Sequence, residues 1–75
     1  MENIDRIGVV AGSGNLPISI VKECEKKNVK PFIVLIKDFA KKENYGSHPY
    51  ISIKFGDVGK AISFFRKNKV KYIVF

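Results

Sequence analysis

The sequence predicts an α/β fold: a Rossmann-like, three-layer half-domain with a parallel sheet of about four strands and two helices, in the order β-α-β-β-α-β. Three observations carry this. The apolar run Ile7-Gly8-Val9-Val10-Ala11 leads into Gly12-Ser13-Gly14 and then into a segment of helical spacing. Pro31 to Ile36 is continuously apolar, as expected of a strand covered by helices on both faces. A second helical pattern then precedes a last apolar run. Right-handed crossovers between parallel strands give the strand order 3-2-1-4.

Each element has a local reason. Arg6 to Ala11 combines Ile7, Val9 and Val10 with the small Gly8 and Ala11, the composition of a buried parallel strand. The first helix begins near Leu16, with Ser13 or Asn15 available as cap. Pro17 suits its first turn, where a missing N–H has no helical acceptor to lose. Leu16, Ile20, Val21 and Cys24 form one apolar stripe, and the helix stops around Asn28. Asp38 to Pro49 reads as a loop with a helical turn at Phe39 to Lys42. Tyr50 to Phe55 alternates, which predicts an edge strand with one wetter side. Asp57 is placed to cap the second helix, whose Val58, Ala61, Ile62 and Phe65 recur at i, i+3, i+4 and i+7. Phe65 points to the core, whereas the adjacent Phe64 faces a missing domain, a partner or the sheet edge. Arg66, Lys67 and Lys69 gather at its end, where cations complement the helix dipole. Val70 to Phe75 is the last strand. The chain stops inside this run, which reads as part of a larger protein.

Composition narrows the function classes. Seventy-five residues, 45% hydrophobic and 28% charged, form at most one small globular domain. One cysteine excludes a disulfide framework and suits a reduced, cytoplasmic setting. No apolar run approaches the ~20 residues of a membrane span. Met1-Glu2-Asn3-Ile4-Asp5 carries two acids and no apolar core, unlike a secretory signal. The net charge of +7 allows a polyanion partner. However, the lysines are dispersed over every element without long like-charge blocks, so a solvated surface is preferred and nucleic acid is disfavoured.

The chemistry concentrates in Gly12-Ser13-Gly14-Asn15-Leu16-Pro17. A tight glycine turn between a strand and a helix leaves main-chain N–H groups free at the positive end of the helix dipole, which favours an anionic group. Gly12 and Gly14 match the first two glycines of the dinucleotide fingerprint, but Pro17 occupies the third, which weakens that reading. No Lys-Ser/Thr follows as a P-loop would require. Asp38, just beyond the second strand, is either a ribose-binding acid or an ordinary turn aspartate, the latter preferred. His48 reads as an exposed loop residue with no metal-binding partner. Cys24 reads as a small core residue rather than a nucleophile. There is no carboxylate pair, no Ser/His/Asp set and no metal-binding cluster, so no catalytic residue and no metal ligand is assigned.

The stretch Ile7-Gly8-Val9-Val10-Ala11-Gly12-Ser13-Gly14-Asn15-Leu16-Pro17 resembles the opening of the UDP-2,3-diacylglucosamine pyrophosphatases of lipid A biosynthesis, found in many α-proteobacteria. Gly56-Asp57-Val58-Gly59-Lys60-Ala61-Ile62 and Arg66-Lys67-Asn68-Lys69-Val70 are similar to that family's second helix and the approach to its next strand. The proline that disturbs the dinucleotide fingerprint is part of the family's Ala-Gly-x-Gly-x-Leu-Pro turn. The resemblance implies a Mg2+-dependent hydrolase that releases UMP and lipid X. It also implies that residues 1–75 are part of an N-terminal domain whose partner, the catalytic C-terminal domain, is not in this chain. On that basis Gly12, Ser13, Gly14, Asn15, Leu16 and Pro17 contact the diphosphate of UDP-2,3-diacylglucosamine. On the same resemblance activity depends on a C-terminal half, which a separate gene could encode, and contact with the inner membrane is through the lipid substrate. The alternatives are a Rossmann-like NAD or nucleotide module, a basic nucleic-acid-binding fragment, and a degenerate remnant.

Overall fold

The computed structural model describes residues 5–75; the signal-peptide reading above rests largely on residues 1–4, outside that range. In chain order the elements are β1 (Arg6–Ala11), α1 (Leu16–Lys26), β2 (Lys30–Ile36), a 3-10 turn (Lys42–Tyr45), β3 (Tyr50–Ile53), α2 (Val58–Lys67) and β4 (Ile73–Val74). All strand pairs are parallel and the order is β3-β2-β1-β4, as expected. Arg6 lies opposite Lys30 and Ala11 opposite Leu35, while Ile33 lies opposite Tyr50.

The central strands explain the continuous apolar run. Alternate residues of β2 serve opposite faces. Ile33 and Leu35 join Val9, Ala11, Val21 and Tyr45 beneath α1. Phe32 and Val34 join Ile53 and Phe65 beneath α2. Gly8 is required where α2 crosses β1: a Cβ there would lie 2.7 Å from the Phe65 ring. Phe64 also reaches the sheet, edge-on to Phe32 with ring centroids 6.3 Å apart. Arg6 ties the start of β1 to the end of α2 by donating from Nη1 to the Asn68 carbonyl at 2.6 Å.

Several expectations are corrected. Leu16 does not head the buried stripe of α1; it is 66% exposed, and Pro17, Val21 and Cys24 are the buried residues. Val58 and Ile62 of α2 are likewise exposed, leaving Phe65 as its buried anchor. In α1 the buried line is Pro17, Val21 and Cys24, so the face on the sheet is turned one residue away from Leu16. The helical turn in the long loop falls at Lys42–Tyr45 rather than Phe39 to Lys42, because Tyr45 is drawn into the α1-side core. β3 ends at Ile53, and Phe55 is 84% exposed against Phe39, with centroids 6.4 Å apart. β4 pairs only through Ile73 and Val74.

Cys24 is buried, in agreement with the sequence. Burial is the main reason its thiol is pushed above the ordinary range, with the carboxylates of Glu23 and Glu25 adding to it. Thiolate is the reactive form. The folded chain is therefore expected to react with a disulfide reagent near neutral pH at least about tenfold more slowly than the urea-unfolded chain. Equal rates would show that the thiol is accessible.

Candidate anion-binding site

The site is built at the carboxyl edge of the parallel sheet, where β1 runs into α1. Ala11 is fully buried and fixes the strand end, and Pro17 is buried under the first turn of the helix. Between them the chain emerges: Gly12 is half-buried and Ser13, Gly14, Asn15 and Leu16 are exposed. Gly14 has φ of 99°, a conformation that L side chains rarely adopt. A Cβ built on Gly12 or on Gly14 meets nothing within 4 Å. The turn therefore opens on free space, as a ligand-holding turn must.

Neither sequence-predicted cap forms. Asn15 occupies the cap position, but its backbone is already helical (φ −102°, ψ −12°) and its side chain makes no capping bond. Its carbonyl instead accepts the Ser19 N–H at 3.0 Å and the Ser19 hydroxyl at 3.2 Å. No side chain competes for the first-turn amides, so they keep their capacity for an external anion. Asp57 likewise makes no capping bond at α2; its Oδ2 lies 3.5 Å from Lys60 Nζ.

The neighbouring strand ends contribute to the same edge. Asp38 is exposed in the turn after β2, with φ of 70°. Phe39 and Phe55 follow β2 and β3, so an exposed aromatic pair stands one and two strands away from the glycine turn. Sequence reasoning missed this pair; its only signal is that each ring comes just past the end of a strand. His48 is not the free loop residue expected. It is half-buried, and its Nε2 shares a 2.6 Å hydrogen bond with Glu25 Oε2 across 23 residues, which pins the long loop to α1. Among the described residues no three His, Cys, Asp or Glu side chains are grouped to hold a metal ion.

A parallel sheet in order 3-2-1-4 with two helices, and an open glycine turn at the first strand's carboxyl end, defines a Rossmann-like α/β half-domain. Residues 6–75 match the family model described as the LpxI N-terminal domain, and the chain belongs to that family, which is tied to lipid A biosynthesis. Comparison with curated proteins gave no match. No helix among the described residues is long and apolar enough to cross a membrane.

Proposed function

We propose that the chain forms one wall of the substrate cleft of a UDP-2,3-diacylglucosamine diphosphatase, acting in the cytoplasm. In this reading the turn Gly12-Ser13-Gly14-Asn15-Leu16-Pro17 holds the diphosphate. The observation that carries it is the open, uncapped turn: main-chain amides at a helix start, with free space where a Cβ would stand. The family match supports a lipid-related substrate. The exposed Leu16, Phe39 and Phe55 on the same sheet edge are suited to the apolar part of such a molecule.

Hydrolysis needs a positioned water, a base and charge neutralisation at the diphosphate. The described residues offer the last of these and no grouped acids for the others. The metal and the base belong to a second domain, and with it the release of UMP and lipid X. The purified chain, given UDP-2,3-diacylglucosamine and Mg2+, is expected to bind it and to release no UMP. Release of UMP by this chain would overturn the division of labour; absence of binding by calorimetry would overturn the cleft role itself.

A further inference from the structure

We propose that the sheet edge opposite the glycine turn docks on an anionic lipid surface. In sequence the basic residues are scattered, but the parallel topology returns every strand start and every helix end to one edge. Arg6 and Lys30 are register neighbours at the starts of β1 and β2. Lys71 precedes Tyr72, whose carbonyl accepts the Gly8 N–H at 2.8 Å, so it stands on the other side of Arg6. Arg66 and Lys67 end α2 and Lys69 follows it. Lys26 and Lys27 close α1 on the opposite face of the sheet. Among the described residues the acids facing this edge are Asp5, Glu23 and Glu25. Glu23 lies 3.7 Å from Lys27 and Glu25 is bound to His48. Leaving Lys71 aside, the described cations of this edge, Arg6, Lys26, Lys27, Lys30, Arg66, Lys67 and Lys69, outnumber these acids.

The edge fits a lipid surface better than a nucleic acid. Among the described residues it is a rim of strand starts and helix carboxyl ends, with no helix start or ribbon to enter a groove. The Phe32 ring lies buried beneath the cations, 5.9 Å from the Arg6 guanidinium and 5.6 Å from Lys30 Nζ, and is no platform for bases. Lysine, a compact charge without the bidentate fork of arginine, predominates. Tyr72 adds an exposed amphipathic ring of the kind that sits among lipid headgroups. This inference is independent of the function proposed for the glycine turn, which lies about 20 Å away across the strands.

The test is co-sedimentation of the 75-residue chain with vesicles of phosphatidylcholine, with and without about 30% phosphatidylglycerol. The chain is expected to bind the anionic vesicles at about 50 mM salt and to be released at about 500 mM. Each cation near such a surface is worth roughly a fivefold change in partitioning. K67E/K69E is therefore expected to weaken binding at least about tenfold with an unchanged circular dichroism spectrum, whereas K41E/K42E on the far edge has a much smaller effect. Equal binding to neutral vesicles, equal loss in both variants, or tighter salt-sensitive binding to duplex or single-stranded nucleic acid than to vesicles would each overturn the proposal.

Discussion

Replacing Phe65 by alanine is expected to remove about 3–5 kcal/mol of folding stability, the usual range for deleting a buried aromatic ring. A 75-residue chain has a total of roughly 4–11 kcal/mol at typical stability per residue. The urea midpoint should fall by about half or more, and the chain can be largely unfolded at room temperature. The effect is large because Phe65 is the buried anchor of α2, only 3% exposed, and it closes the second face of the sheet with Phe32, Val34 and Ile53. The ring occupies the space that Gly8 leaves empty. That reciprocity gives a sharper check. Gly8→Ala should destabilise the native chain by about 1–3 kcal/mol through overpacking, yet cost much less in the F65A background. Additive effects would mean that the two sites do not meet as described.

Gly12→Val is expected to do the reverse: lose ligand and keep the fold. Gly12 does not need a left-handed backbone, and a Cβ there meets nothing within 4 Å. The branched side chain therefore enters only the volume assigned to the anion. Affinity for UDP should fall at least about tenfold, the scale of losing contacts worth 1.4 kcal/mol or more, while the urea midpoint stays nearly unchanged. Gly14→Val is the contrasting change. Its φ of 99° makes any branched residue strained, so stability and binding should fall together. Should G12V bind UDP as the parent chain does, the turn is not where the anion sits.

The fold was legible because the layer pattern is written in short local signals. The continuous run of β2 reported a strand covered twice, and the glycine turn marked the β1–α1 junction to the residue. Apolar spacing marked a helix but did not fix which line of it meets the sheet. In α1 that line is Pro17, Val21 and Cys24, which leaves Leu16 exposed, and in α2 it leaves Val58 and Ile62 exposed beside Phe65. Tyr45 sits among Lys41, Lys42, Glu43, Asn44 and Gly46, and its burial depends on α1 and the sheet, which no local pattern encodes. The same holds for His48 and Glu25, joined only by the return of the long loop. Sequence distance likewise hides that a parallel sheet gathers its strand starts, which makes Arg6 and Lys30 neighbours. At the site, the glycine turn leaves space at Gly12 and Gly14, and the expected side-chain caps do not form. Asn15 enters the helix with its own backbone, and its side chain does not turn back to the first-turn amides.

The central claim is that the main-chain amides after β1 hold a diphosphate. It is tested most directly by following the backbone amide resonances of the nitrogen-15-labelled chain during titration with UDP and, separately, inorganic diphosphate. Both ligands should shift Gly12, Ser13, Gly14, Asn15 and Leu16 in a saturable way while the amides of β3 stay still. Saturable shifts confined to the lysines of the opposite edge, or no saturable shift at these five amides with either ligand, would contradict it.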